Sequence, residues 1–368
     1  MKPCRIIFSG GGTGGHIFPA IAIANAVKKA QPETEILFVG ALGRMEMEKV
    51  PASGYPIEGI PIAGFQRSFS LSNLKLPFLI LKSLFITRAI LKKFKPHVVV
   101  GTGGYASGPL LRSASKMGIP ILIQEQNSYA GITNKLLAKS AAKICVAYDG
   151  MDRYFPAEKL LLLGNPVRQE VLNIEGKREE AIAYFQLDTA KKTVLVLGGS
   201  LGAKAINEAI GNGQAELLKQ GIQVLWQCGK TYHAIALEQS KEFESKGVRV
   251  QAFINRMDLA YAVADVVISR AGAGAISELC LVQKPCILVP LPSAAEDHQT
   301  KNALALVNKE AALLVKDKDC GTRLVAYVLA LLANTDIREK FRKNMSALAF
   351  RNSAEIIAGE VLKLAKQV

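Results

Sequence analysis

The stretch "RIIFSGGGTGGHIFPA", residues 5–20, decides how this chain folds. Arg5–Ser9 is a strand-like apolar run, and five of the next six residues are glycine. A strand that empties into bare backbone and then a helix opens a βα unit. Glycines there let the chain turn tightly and let a ligand approach the amides. The helix that follows points its N-terminal N–H groups and positive dipole end at the same spot, which favours phosphate. A turn with no ligand needs fewer glycines. A P-loop requires Lys-Ser/Thr after its last glycine; His16-Ile17 follow here, which argues against ATP hydrolysis. Gly10, Gly12 and Gly15 match a dinucleotide fingerprint. That fingerprint also needs an acidic residue at the tip of the second strand, but the tip reads Val39-Gly40-Ala41, with Glu33 and Glu35 at the wrong end.

The same unit recurs along the chain. Short apolar runs at 5–9, 36–39, 98–100, 120–124, 143–147 and 160–163 form one block of expected strands. Runs at 193–197, 223–227, 248–252, 266–269, 286–290 and 312–315 form a second. Alternation with helical-length segments predicts two parallel, doubly wound sheets of six strands each. Glycine-rich turns at 10–15, 101–104, 198–202 and 272–274 place two strand-to-helix turns in each half. Ligands of such sheets bind at these carboxyl ends, so phosphates are expected from both lobes. Pro166 marks a seam near Gly164-Asn165-Pro166. The expected domains are 1–164 and 165–345, with a C-terminal helix at 346–368 packing back on the first.

Composition narrows the partners. A length of 368 residues suits two domains, and 49% hydrophobic with 21% charged residues reads as globular. Residues 1–165 hold 20 Lys+Arg against 9 Asp+Glu (+11), and residues 166–368 hold 26 against 22 (+4). The first half is therefore expected to face something anionic, nucleic acid, a phosphorylated substrate or an acidic membrane, with solubility alone as the bland alternative. The six cysteines have no metal-ligand spacing and read as reduced, mostly buried thiols. No signal segment precedes the first strand, which predicts a cytoplasmic chain.

In the second half, "SRAGAGAISEL", residues 269–279, leaves a strand through a Gly/Ala loop and enters a helix. Glu278 falls within the first two turns, where a carboxylate could accept from vicinal ribose hydroxyls while loop amides hold a diphosphate. Alone, such a residue is better explained by the helix dipole. The second glycine turn at Gly198-Gly199-Ser200 favours the nucleotide.

"GGTGGHIFPA", "GTGGYASGP", "EQNSYAGITNK", "GNPVR", "GGSLGA", "SRAGAGAISE" and "EDHQTKNA" occur in this order between residues 10 and 303. Together they resemble the MurG family, the peripheral membrane N-acetylglucosaminyltransferases of bacterial cell-wall synthesis. The resemblance implies a GT-B fold, two Rossmann-like α/β domains facing across a cleft. It implies inverting transfer of N-acetylglucosamine from UDP-N-acetylglucosamine to the C4 hydroxyl of the muramoyl sugar of lipid I, giving lipid II. Carried onto this chain, Thr13, Gly14, Gly15 and Asn127 approach the donor sugar, and Arg168 and Ser200 meet the diphosphate. Ile254 offers backbone groups to uracil. Ala271, Gly272, Ala273, Gly274, Ala275 and Ile276 cradle the phosphates. Glu278 takes the ribose and Gln299 the sugar hydroxyls. Ala275 departs from many relatives, which carry a hydroxyl there, so backbone amides must suffice. Gly11, Gly12, Gly103, Gly104 and Tyr105 correspond to the acceptor-diphosphate site. His16 is the candidate general base, its ordinary pKa near 6.5 suiting proton abstraction; its bland alternative is a histidine that only hydrogen-bonds the loop or phosphate. Direct displacement needs no covalent intermediate and no metal, with Mg²⁺ a possible stimulant. The implied partners are UDP-N-acetylglucosamine, lipid I, the anionic inner leaflet and other cell-wall synthesis proteins, with no nucleic acid.

Residues 74–95, "LKLPFLILKSLFITRAILKKFK", contain no uncharged apolar run of 18, so they do not span a bilayer. At about 100° per residue Lys75, Lys82 and Lys93 fall within about 20° of one another. The opposite faces are expected to carry Phe78, Leu81, Leu84 and Phe85. With Arg88, Lys92 and Lys93 this predicts a basic amphipathic helix on the cytoplasmic face of an anionic membrane. A core helix with a solvated lysine edge is the competing reading. Two other activities stay open: a UDP-N-acetylglucosamine epimerase of the same fold, which needs no lipid face, and a dehydrogenase, disfavoured by the tip of the second strand.

Overall fold

The computed structural model describes residues 3–62, 76–167, 171, 173–199 and 201–367. It divides into two compact units, Met1–Val167 with Phe350–Val368, and Arg168–Ala349. In the first unit the order is β1 (Arg5–Ser9), α1 (Gly14–Ala30), β2 (Glu35–Ala41), α2 (Glu46–Ala52), β3 (Ile57–Ile60), α3 (Leu76–Phe94), β4 (Val98–Gly101), α4 (Ser107–Lys116), β5 (Ile121–Glu125), α5 (Ile132–Leu137), β6 (Lys143–Val146) and β7 (Leu160–Leu162). The second unit runs α6 (Arg178–Phe185), β8 (Lys192–Leu197), α7 (Lys204–Lys219), β9 (Ile222–Gln227), α8 (His233–Ser240), β10 (Val248–Gln251), α9 (Met257–Val263), β11 (Val266–Arg270), α10 (Ala273–Val282), β12 (Cys286–Val289), α11 (His298–Val307), β13 (Leu313–Leu314), α12 (Cys320–Ala333) and α13 (Thr335–Leu348). The chain then returns to the first unit as α14 (Ser353–Ala365).

Both sheets are parallel throughout, in the orders β3-β2-β1-β4-β5-β6-β7 and β10-β9-β8-β11-β12-β13. Winding reverses between β1 and β4 in the first sheet and between β8 and β11 in the second. Ser9 pairs with Gly101, and Leu197 with Ser269. The four glycine-rich turns thus leave the four strands that flank the two switch points, where doubly wound sheets bind ligands.

Sequence alternation explains why the sheets are buried on both sides. In β1, Ile6 and Phe8 face one side and Ile7 the other, and all three are fully buried. The first side packs on Ile17, Ile21, Ala24 and Val27 of α1, spaced for one helical stripe, and on Ile357, Val361 and Leu364 of α14. The second packs on Ile90 and Leu91 of α3, Leu110 and Leu111 of α4, and Leu137 of α5. In the second unit, Val194, Val224, Trp226 and Ile268 pack on α7 and α12. The indole N–H of Trp226 donates to Asn207 (3.1 Å), so the largest side chain there leaves no buried donor unpaired.

Among the described residues the first sheet has seven strands, where six were expected. The additional strand, β3, pairs with β2 from Phe38↔Ile57 to Ala41↔Ile60. Its four residues "IEGI" include Glu58 and Gly59, which break an apolar run. Asn165, at the expected seam, is tied into the first unit: its Oδ1 accepts from Gln124 (3.0 Å) and its Nδ2 donates to the Gln126 carbonyl (3.0 Å).

Candidate active site

In the first unit the turns after β1 and β4 pack directly on each other. A Cβ on Gly104 would lie 2.3 Å from the Gly11 carbonyl oxygen. Gly103, at φ +100°, backs the His16 ring, and a Cβ there would lie 3.0 Å from its Nδ1 and Cε1. The glycines therefore serve turn-to-turn nesting as well as ligand approach. Thr13 adopts extended backbone at the N-cap of α1 without capping it, and the first turn holds no acidic residue. α4, α7 and α10 likewise have no side-chain cap bond and no acidic residue in the first turn; their caps are Ala106, in helical backbone, and Ala203 and Gly272, both extended. Helix N-termini left this way keep amide donors available to an anion. Gly12 and Tyr105 are exposed on the first two turns, whereas Gly11 is buried.

His16 is half-buried in the first turn of α1. Its backbone carbonyl accepts from Thr102 Oγ1 (2.7 Å), and its Nδ1 meets Gln126 Oε1 at 2.9 Å. Asn127 is held by the neighbouring Glu125, which accepts from the Asn127 backbone N–H (3.1 Å), the Gly131 N–H (2.9 Å) and Asn134 Nδ2 (2.9 Å). Three residues that sequence reasoning passed over therefore shape this site: Gln126, Glu125 and Glu46. Glu46 is fully buried beneath the first turn, its Oε2 accepting from the Gly12 N–H (3.0 Å) and its Oε1 from the Ala41 N–H (3.0 Å). No spacing rule marks a glutamate 34 residues from its partner; Gln126 and Glu125 lie in a motif that drew attention only to Asn127.

In the second unit, Ala271 is buried, Gly272 caps α10 in extended backbone, and Ala273, Gly274, Ala275 and Ile276 make its first turns. Glu278 follows on the same helix, and its Oε2 accepts from the buried Tyr261 hydroxyl at 3.1 Å. The Ile254 N–H already donates to Gln227 Oε1 (3.0 Å), so its carbonyl is the backbone group left to meet a base. Gln299 stands in the first turn of α11, its Oε1 accepting from the Leu291 N–H (3.0 Å). Just before it, Glu296 and Asp297 both sit at φ +54°, strained for non-glycine residues. Arg168, Ser200 and Lys75 lie outside the described residues. Among the described residues, no three His, Cys, Asp or Glu side chains gather in a group that could hold a metal ion.

Comparison with known proteins shows the family of the chain. The chain matches the glycosyltransferase family 28 N-terminal domain over residues 6–146 and the C-terminal domain over residues 193–357. A UDP-N-acetylglucosamine–N-acetylmuramyl-(pentapeptide) pyrophosphoryl-undecaprenol N-acetylglucosamine transferase from Phocaeicola vulgatus is 56% identical over 98% of this chain and 96% of its own. One of the same name from Parabacteroides distasonis is 53% identical over 99% of both. The crystal structure of Acinetobacter baumannii MurG superposes with a TM-score of 0.81 at 28% identity, covering 98% of this chain and all of that one. The chain belongs to the MurG family.

Its fold is the GT-B fold of that family. A Neisseria meningitidis UDP-GlcNAc 2-epimerase shares the fold alone, with a TM-score of 0.66 at 15% identity over 98% of this chain and all of that one. As a MurG family member the chain is a glycosyltransferase. Its α3 departs from the amphipathic pattern expected from sequence. Phe78, Leu81 and Phe85 are 69%, 67% and 78% exposed. Lys82, Arg88, Lys92 and Lys93 are exposed with them, so apolar and basic residues share the outer face instead of opposing each other. The periodicity itself requires this, because Phe85 lies only about 60° around the helix from Lys82. Leu84 is half-buried, and the inner face carries Ser83, Thr87, Ile90 and Leu91. Among the described residues no helix is long and apolar enough to cross a membrane.

Proposed function

We propose that this chain moves N-acetylglucosamine from UDP-N-acetylglucosamine to lipid I, making lipid II for peptidoglycan. The observation that carries the reading is the placement of four glycine turns, each feeding an uncapped helix N-terminus, at the switch points of two sheets in a MurG family chain. Two such pairs suit a reaction with a diphosphate on both substrates.

The donor occupies the second unit. Amides of the turn after β11 and the N-terminus of α10 receive the UDP diphosphate, Glu278 accepts from the ribose hydroxyls, and the Ile254 carbonyl meets the uracil. Gln299 offers its Nε2 to the sugar. The acceptor diphosphate lies on the turns after β1 and β4. His16 Nε2 takes the proton of the muramoyl C4 hydroxyl as its oxygen attacks the anomeric carbon. The bond from that carbon to the UDP oxygen breaks with inversion, and UDP leaves with the electron pair, its charge offset by the helix amides. The outer face of α3 rests on the anionic inner leaflet, Phe78, Leu81 and Phe85 in the interface and the lysines at the headgroups. The protein is then peripheral on the cytoplasmic side of the membrane.

Release of UDP, measured with and without a lipid I analogue, tests the assignment. Acceptor-dependent release is expected. Isomerisation of UDP-N-acetylglucosamine without acceptor would instead make the chain an epimerase.

A further inference from the structure

We propose that Gln126 is a positioning residue that fixes His16 as the Nδ1–H tautomer, leaving the Nε2 lone pair to take the proton. The proposal rests on the reading of His16 as the base.

The orientation of the Gln126 amide decides it. Gln126 is buried, and its Nε2 faces the Thr102 carbonyl (2.7 Å), the Gln124 carbonyl (2.9 Å) and the Gln124 side-chain oxygen. All three are acceptors, so the group facing them is the NH₂. Turning the amide over would set its oxygen against three oxygens in a buried site and strand the donors. The Gln126 Oε1 therefore faces His16 Nδ1 at 2.9 Å as an acceptor, and Nδ1 carries the hydrogen. A neutral imidazole has one N–H, so its Nε2 is a bare acceptor, and among the described residues it makes no hydrogen bond. Gly103 behind the ring and Thr102 on the His16 carbonyl hold the ring in place from the adjoining turn. When Nε2 gains the substrate proton, Nδ1–H keeps its acceptor, so the imidazolium forms without rearrangement. An amide in this place orients the ring without adding a charge beside an anionic acceptor.

Long-range ¹H–¹⁵N correlation on ¹⁵N-histidine-labelled protein at about pH 8.5, above an ordinary imidazole pKa of about 6.5, reads the tautomer directly. The chain has four histidines, so the His16 signals are those lost in His16→Ala. The parent is expected to show Nδ1 protonated. Gln126→Met, its fold checked by thermal melting, is expected to lose that bias. Its kcat should fall by about 10- to 100-fold, part of what general-base catalysis contributes, with the KM for UDP-N-acetylglucosamine nearly unchanged. A parent with Nε2 protonated, or a Gln126→Met protein with the tautomer unmoved, overturns the proposal. The parent spectrum stands without any variant folding. Unimpaired turnover in His16→Ala would remove the base reading instead, leaving the tautomer assignment to be judged by its own spectrum.

Discussion

At the scale of single residues, three positions test the proposed site. His16 is held at both ring and backbone by the turn after β4, so its removal should cost roughly 10²–10⁴ in kcat with UDP affinity little changed. Steady-state kinetics on His16→Ala decides between base and binding group; a loss confined to the acceptor KM would mean binding. Gly103 tests the nesting of the turns. At φ +100°, alanine is strained, and its Cβ would press on the His16 ring. Gly103→Ala is expected to lower kcat while donor binding in the other unit, followed by calorimetry with UDP, stays normal. Glu278 belongs to that other unit. Removing a charge-assisted acceptor for the ribose should weaken UDP-sugar binding by roughly 1.5–3 kcal/mol. Titration of Glu278→Ala that returned the parent affinity would end its assignment to the ribose.

At the scale of one element, α3 carries the membrane reading. Its inner face is anchored by a Thr87–Ser113 hydroxyl pair (2.9 Å) and by Ile90 and Leu91, so the outer face is free to vary without unfolding the unit. Reversing Lys82, Arg88 and Lys92 to glutamate should remove roughly 3 kcal/mol or more of affinity for phosphatidylglycerol vesicles, about 1 kcal/mol per charge. Binding by the parent should weaken with salt, as the Debye length shrinks below about 8 Å. Lys93 contributes less, because it already stands 3.9 Å from Glu58. Turnover of a short-chain acceptor should survive the reversal. Undiminished co-sedimentation of the triple variant would move the docking face elsewhere.

At the scale of the molecule, buried thiols tie stability to alkaline pH. Burial pushes Cys145 and Cys280 up to about 12 and Cys320 to about 11, from 9.0. Between those values the folded chain holds protons that the unfolded chain releases, so stability falls as pH rises above about 9. Lys284 acts with the opposite sign: burial lowers it from 10.5 to about 8, so its contribution rises between those values. Three thiols outweigh one amine. The urea midpoint is expected to be lower at pH 10.5 than at pH 8, and Cys145→Ala should shrink that drop. A Cys145→Ala protein with the full parental drop would show that this thiol is not the cause.

Periodicity and glycine placement made the two-sheet architecture legible, because a strand buried on both faces must be apolar throughout and a turn at a helix N-terminus must shed its side chains. Twelve strands were readable in this way. β3 was not, because a four-residue edge strand containing Glu58 and Gly59 takes its identity from pairing with β2. The site divided along the same line. His16 and the glycines stand out by local spacing at the start of a helix, and Glu278 stands out only beside a second glycine turn. Glu46, Gln126 and Tyr261 do not, because each acts on a partner 17 or more positions away in the chain. What the sequence alone determined is therefore the class of fold, the family and the backbone cradles. Which way the His16 ring is turned, which backbone group of Ile254 is already taken and which face of α3 meets solvent were decided only by tertiary packing, where partners from distant segments compete for the same donors, acceptors and apolar surface.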